Sequence, residues 1–214
     1  MLELLLKTLA AYLLGNLMGG KLLGALRGID LRSVGSGNVG ATNALRTQGA
    51  GFAIGVLAID VAKGVIASLW IPQLPSFGAG VFAVREQAYL CGVAVALGHC
   101  YPAFYGFKGG KGVATLAGVF AALLAGALGW MLGVFALLIM LSGYVSLATL
   151  GAAATAVLWV ALDTAAGLRS SAGAFTLAMA TLIVWTHRHN IERLLRGNES
   201  RFEKARVLGR WLRR

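Results

Sequence analysis

Charged side chains are few in this sequence. Asp, Glu, Lys and Arg make up 13% of its 214 residues, where a soluble domain carries about a quarter, so an ordinary water-soluble fold is excluded. Proline occurs only 3 times, which leaves long helices free to form almost anywhere. The 2 cysteines, Cys91 and Cys100, are isolated thiols in apolar surroundings and offer neither a disulfide framework nor the spacing of a metal site. No metal and no cofactor is expected. Ser/Pro-rich linkers and low-complexity stretches are missing too, so residues 1–214 are expected to form one domain.

Apolar surface is what the chain has in abundance, with 58% hydrophobic residues. Apolar runs at about 2–26, 50–71, 83–103, 113–128, 130–146, 147–162 and 173–188 each approach the roughly 20 residues that cross a hydrocarbon core. The expected fold is an all-α polytopic integral membrane protein with seven transmembrane helices. The short turns at 125–129 and 142–149 are the least distinct separators, and five spans are the alternative. The opening Met-Leu-Glu-Leu-Leu-Leu-Lys lacks the basic cluster that heads a secretory signal, so it reads as a retained span. Most of the 30 glycines are expected at helix contacts, because small residues let backbones approach in a bilayer.

Orientation follows from Lys and Arg, since cationic loops stay on the cytoplasmic side. Four lie from Lys21 to Arg46, Lys108 and Lys111 lie in the 104–112 loop, and nine lie from Arg188 to Arg214. The loops at 72–84 and 163–172 hold Arg169 alone. Seven spans then place the N-terminus outside and the C-terminus in the cytoplasm. The net charge of +11 becomes a topology signal, with a basic cytoplasmic tail from about residue 189 lying against anionic lipids. A nucleic-acid partner would need a soluble basic face, which this chain does not offer.

Polar, glycine-rich segments interrupt the apolar pattern on the cytoplasmic side. The first runs Gly35-Ser36-Gly37-Asn38-Val39-Gly40-Ala41-Thr42-Asn43-Ala44-Leu45-Arg46. It has the spacing G-x-G-x-x-G, but that dinucleotide motif works between a strand and a helix of a soluble sheet, and membrane spans flank this one. The physics of anion binding survives: glycines let backbone N–H groups converge, and a helix start adds its dipole. Ser36, Asn38 and Asn43 add neutral donors, and Arg46 a fork suited to phosphate. The plain alternative is a flexible loop whose Asn and Ser cap a helix.

The second segment runs from Gly98-His99-Cys100-Tyr101-Pro102 through Phe107-Lys108-Gly109-Gly110-Lys111-Gly112-Val113. It is not a Walker loop, because Tyr105 stands where the first glycine belongs and Gly112 where a magnesium-binding hydroxyl belongs. Gly-Gly-Lys-Gly opening a helix still combines N–H groups, a dipole and a cation. Lysines that merely snorkel to the interface are the alternative. Asp60 and Lys63, three apart in the second span, share a helix face and read as a structural ion pair. Ser146 and Thr149 have the option of bonding back to their helix. His187 and Asn190 share a face at the inner end of the last span.

Taken in order, these segments resemble the bacterial acyl-phosphate:glycerol-3-phosphate acyltransferases, the PlsY family, over essentially the whole chain. The residues that carry the resemblance are Gly35-Ser36-Gly37-Asn38 with Gly40-Ala41-Thr42-Asn43, Gly98-His99 with Pro102, Phe107 to Thr115, Val145-Ser146-Leu147, and His187-Arg188 with Asn190-Ile191, Arg193-Leu194 and Gly197-x-Glu199. Departures are Tyr101, Thr149 and Gly143, the last where a basic residue is common. The resemblance implies transfer of a fatty acyl group from acyl phosphate to the sn-1 hydroxyl of glycerol-3-phosphate, at the cytoplasmic face of a bacterial inner membrane. Membrane lipids are the only other partners it implies, with no obligate protein partner.

On that resemblance Ser36, Lys111, His187 and Asn190 are expected to be catalytic, and Gly37, Asn38, Asn43, Arg46, His99, Lys108, Gly110 and Ser146 to bind substrate. Ser36, Gly37 and Asn38 are matched to the acyl-phosphate head group, and Arg46, Lys111, Ser146, His187 and Asn190 to glycerol-3-phosphate. Either His187 or a substrate phosphate oxygen takes the hydroxyl proton. His99 is expected to orient the second loop, and Glu199 to fix the tail by pairing with an Arg. The H-x-x-x-x-D signature of coenzyme-A-dependent acyltransferases is missing, and His187 with Glu192 only imitates its spacing. The alternative function is transport of a small phosphate ester or other anion, which broken helices and intramembrane ions also serve.

Overall fold

The computed structural model describes residues 1–75, 82–163 and 166–211. Residues 76–81 and 164–165, which belong to the two loops expected outside, lie beyond the described residues. Among the described residues every regular element is helical, in two compact units, Met1–Leu124 and Ala125–Arg214. The first unit holds α1 (Leu2–Gly15), α2 (Gly19–Leu26), α3 (Ala41–Gln48), α4 (Ala50–Leu69), α5 (Val84–Cys100) and α6 (Val113–Leu123). The second holds α7 (Ala125–Ser142), α8 (Val145–Asp163), α9 (Ser171–Thr186), α10 (Arg188–Leu195) and α11 (Val207–Trp211).

The first expected span is broken, since α1 and α2 meet at a bend of 46°. A break inside a bilayer frees backbone groups that need partners from the protein, and α4 supplies them. Lys63 Nζ donates to the carbonyls of Gly15 and Leu17, each at 3.0 Å, and Asp60 Oδ1 accepts from the Gly19 N–H at 3.1 Å. Further along α1, the buried Lys7 donates to Glu3, to the Pro72 carbonyl and to Gln87, tying α1 to the turn after α4 and to α5.

Glycine sets how closely the helices of this unit approach. Gly15 of α1 meets Gly98 of α5, and Gly64 of α4 meets Gly118 of α6; a Cβ on any of the four would strike backbone of the facing helix. The packing role expected of glycine is therefore literal at these crossings.

The expected division of residues 113–146 shifts. Helix α6 stops after 11 residues at Leu123, and Leu124 (φ −144°, ψ 55°) turns the chain before α7 begins. Ala125–Gly129, taken from sequence as a separator, is instead the first turn of α7: small residues are compatible with a membrane helix, so a glycine-containing stretch is no sure break. The next separator, expected over 142–149, shrinks to Gly143 and Tyr144: the φ of +77° at Gly143 ends α7, and Val145–Thr149 already belong to α8. Among the described residues α7, α8 and the stretch Ala50–Gln73 are long and apolar enough to cross a membrane, α1 with α2 makes a fourth candidate, and α6 and α9 are shorter. In the second unit α8 packs against both α7 and α9. Only Ala127 of α7 is buried, and a helix apolar all round suits lipid.

Replacing Gly98 with Val should lower the melting temperature of the detergent-purified protein, with a cost of about 1–3 kcal/mol for overpacking. Gly133→Val, at a site with nothing within 4 Å, should melt like the parent chain; equal melting of both variants would contradict the close crossing.

Candidate functional site

In the first unit the segment between α2 and α3 closes around one side chain. Asn43 is buried on the first turn of α3; its amide nitrogen lies 3.0 Å from the carbonyl of Leu31, 3.0 Å from that of Val34 and 2.9 Å from that of Asn38, and its Oδ1 accepts from the Ser36 N–H at 2.9 Å. Gly35 (φ +60°) is required at its place twice over, by its backbone and because a Cβ would strike Asn43 Oδ1. Asn43, expected to face a ligand, thus organises the loop from inside. The Gly37 N–H is likewise used, on the Val34 carbonyl at 3.1 Å. What the loop turns outward is Ser36 and Gly37, with Asn38 half-buried and Arg46 exposed one turn beyond Asn43. Before the loop, Asp30 accepts from Lys21 and Arg32, each at 2.8 Å. These hydrogen bonds, that of Arg32 first, hold its carboxyl well below the ordinary carboxylate range.

The second loop folds back on the end of α5. The N–H groups of Gly109 and Gly110 donate to the carbonyls of Cys100 and His99, both at 3.1 Å, so two of the backbone donors expected for an anion are taken internally. What remains is the N-terminal turn of α6, opened by Gly112 (φ +79°), since the first N–H groups of a helix have no acceptor within it. Lys108 is exposed beside it and Lys111 half-buried. His99, expected among the substrate-binding residues and to orient the second loop, is buried, with Nδ1 2.7 Å from Lys63 Nζ and 3.5 Å from Asp60 Oδ1. Lys63 and Asp60 are themselves paired at 2.9 Å, as their spacing indicated. His99 as a third member had no periodic signal, because it comes from another helix.

In the second unit the centre of the polar cluster is Glu199. Its Oε1 accepts from Ser146 Oγ at 2.9 Å and from Asn190 Nδ2 at 2.7 Å, and its Oε2 pairs with Arg193 Nε at 2.7 Å. Burial pushes this carboxyl up, but the hydrogen bonds from Asn190, Arg193 and Ser146 outweigh it and leave the value lowered. A lowered value means the contact contributes fully above the ordinary carboxylate pKa and is lost as pH falls through the lowered one. The chain beyond it stays against the turn between α7 and α8, with the Phe202 N–H on the Gly143 carbonyl at 2.7 Å and Arg206 on the Leu141 carbonyl. Ser146 is therefore tied to Glu199, not back to its own helix, whereas Thr149 does bond back, to Val145 at 2.9 Å. His187 sits at the junction of α9 and α10, its Nδ1 2.9 Å from the Ile183 carbonyl. That contact puts the proton of the neutral ring on Nδ1 and leaves Nε2 as the basic nitrogen. Among the described residues no three of His, Cys, Asp and Glu gather as a metal site.

A sequence model of the family described as glycerol-3-phosphate acyltransferase matches residues 5–197. The glycerol-3-phosphate acyltransferase of Aquifex aeolicus is 42% identical over 197 residues, covering 90% of this chain and 95% of that protein. That of Geobacter sulfurreducens is 40% identical over 207 residues, covering 95% and 100%. The fold is similar to the crystal structure of PlsY (YgiH), an integral membrane glycerol 3-phosphate acyltransferase, in its glycerol 3-phosphate form, with TM-score 0.83 and 38% identity over 96% of this chain and 98% of that one. Its lysophosphatidic acid form gives 0.81 and 35%. The helical fold and its polar loops thus define a membrane-embedded acyltransferase. The chain belongs to the glycerol-3-phosphate acyltransferase family.

Glu199→Gln should free the chain after α10, because the neutral amide loses the ion pair to Arg193 and part of a hydrogen-bond set worth about 1–3 kcal/mol. The expected result is faster tryptic cleavage at Arg201, Lys204 and Arg206 at neutral pH; cleavage at the parent rate would show that the carboxylate does not hold the tail.

Proposed function

We propose that this acyltransferase takes its acyl group from acyl phosphate and places it on the sn-1 hydroxyl of glycerol-3-phosphate, giving lysophosphatidate and inorganic phosphate. The observation that carries the reading is the match, over 96% of the chain, to an enzyme crystallised in a glycerol 3-phosphate form, joined to two loops here that pair glycine with exposed or half-exposed cations. The hydroxyl oxygen attacks the acyl carbon, the bond from that carbon to the bridging oxygen breaks, and phosphate leaves with the electron pair. Acyl phosphate is a mixed anhydride, so positioning and charge stabilisation suffice without a covalent relay.

The first unit supplies phosphate recognition in this reading: Ser36, Gly37 and Asn38 for the acyl-phosphate head group, Arg46 and Lys111, with Lys108 nearby, for a second phosphate. Gly110, Asn43 and His99 serve those groups from behind. The second unit supplies His187 and Asn190 for the acceptor, with Asn190 held by Glu199, which also accepts from Ser146. His187 Nε2 or a phosphate oxygen takes the hydroxyl proton. One family match running from residue 5 to 197 supports treating both units as a single acyltransferase domain. The broken first span and the buried Asp60–Lys63 pair, features that transport also uses, are accounted for here by closing the end of α1 and opening α2, and the matched family is one of acyltransferases. Palmitoyl phosphate should yield labelled lysophosphatidate from labelled glycerol-3-phosphate, and palmitoyl-coenzyme A none above background, without divalent metal; comparable rates with both donors would refute the donor assignment. In the same assay Lys111→Ala should lose on the order of a hundredfold, while Lys21→Ala, whose partner Asp30 keeps Arg32, should stay near the parent rate.

The topology we infer is seven traverses of a bacterial inner membrane, N-terminus outside and polar loops and tail in the cytoplasm, supported by the distribution of Lys and Arg. Single cysteines near Phe107, Thr47 and Arg206 should react with an impermeant thiol reagent only from the cytoplasmic side, and one near Leu168 only from outside. Labelling of Phe107 from outside would reverse the arrangement.

A further inference from the structure

The buried cluster of Asp60, Lys63 and His99 does more than the broken first span requires. Lys63 and Asp60 already satisfy the Gly15 and Leu17 carbonyls and the Gly19 N–H, and none of those bonds needs His99. Ionisable groups at 3% exposure or less for all three residues are expensive inside a bilayer, so the third member calls for a reason of its own.

His99 stands between the ion pair and the second loop. Its Nδ1 lies 2.7 Å from Lys63 Nζ. The opposite edge of the ring backs on Gly110, where a Cβ would collide with Nε2 and come within 3.1 Å of Cδ2 and 3.2 Å of Cε1. The backbone joins in, with the His99 carbonyl accepting from the Gly110 N–H at 3.1 Å. A collision with a flexible side chain is relieved when that side chain moves, but this ring is held at Nδ1 and buried. We propose that His99 is a positioning residue: anchored by the Asp60–Lys63 pair, its imidazole acts as a spacer that fixes where Gly110, and therefore Lys111, stands at the mouth of α6. The inference rests on the reading of the Gly109–Gly112 loop as a phosphate-binding loop.

The test is a double-mutant cycle on purified full-length protein, using Gly110→Ala, His99→Asn and the pair together. Asn places an amide atom near the former Nδ1, which keeps a partner for Lys63, and vacates the ring edge that a Cβ at position 110 would strike. Gly110→Ala alone should raise KM for glycerol-3-phosphate on the order of tenfold, since displacement of a binding loop by about an ångström has effects of that size or more, with an unchanged melting temperature. Adding His99→Asn should restore part of that loss, making the double variant several times better than the product of the two single effects. A purely structural histidine would instead give losses that multiply independently, and that result overturns the proposal. If His99→Asn does not fold, Gly110→Ala decides alone, because parental KM and kcat would mean that nothing behind the loop resists a Cβ. Lys111→Ala separates the two layers of the argument. Parental activity in Lys111→Ala alongside a rescued double variant sinks the phosphate-loop reading and leaves the spacer standing; an inactive Lys111→Ala alongside independent losses sinks the spacer alone.

Discussion

The ion pair between Asp60 and Lys63 is the interaction on which the first unit depends. A helix broken within a bilayer is tolerated only where protein groups satisfy the freed backbone, and this pair does so from one helix face. The ammonium closes the end of α1 and the carboxylate opens α2. Deleting either partner leaves a buried, uncompensated charge, typically a loss of about 3–5 kcal/mol, together with an orphaned helix end. Through His99 the same pair reaches the second polar loop, so the bend in the first span and the setting of Lys111 share one physical cause.

Several of these relations were legible in the residues alone. Apolar runs located the helices to within a few positions, the Asp60–Lys63 spacing marked a shared face, and the glycine-rich segments marked where polar groups gather. The break at Asn16–Met18 was missed because Gly15, Asn16, Gly19 and Gly20 were absorbed into one mostly apolar run from Leu2 to Leu26, and the groups that satisfy the break lie on α4, more than forty residues away. The boundary at Leu124 was misplaced because Ala125–Gly129 reads as a turn by composition, yet small residues are at home in membrane helices. Arg193 and Glu199 stand six apart, which is no helical period; it takes the reversal at Gly197 (φ +71°) to bring them together.

A common pattern separates the residues that face outward from those that hold them. Asn43 in one loop, His99 behind the other and Glu199 in the second unit each collect hydrogen bonds inside the protein, and each stands next to residues with an assigned chemical role. Sequence reasoning set Glu199 apart as a support and gave His99 a loop-orienting role, but it grouped Asn43 with the ligand-facing residues. Geometry divides them, because a side chain whose donors and acceptors are filled by its own chain preorganises a site and contacts little beyond it. Arg46, Lys108 and Ser36 are the complementary set, carried on the surface of those frames.

Helix α6 has a consequence for the lipid around it. Its 11 residues make a rod about 16 Å long against a hydrocarbon core of roughly 30 Å. In the seven-traverse topology inferred above, such a mismatch would be met by local thinning of the bilayer or by head groups dipping toward the protein, at fractions of a kcal/mol per ångström. Either adjustment would lower the water boundary beside the Gly109–Gly112 loop, which is where the proposed long-chain donor would present its polar end while most of its tail stayed in the leaflet. Membranes of different thickness would set that boundary at different depths, which makes the host's lipid composition a variable of the enzyme's own geometry.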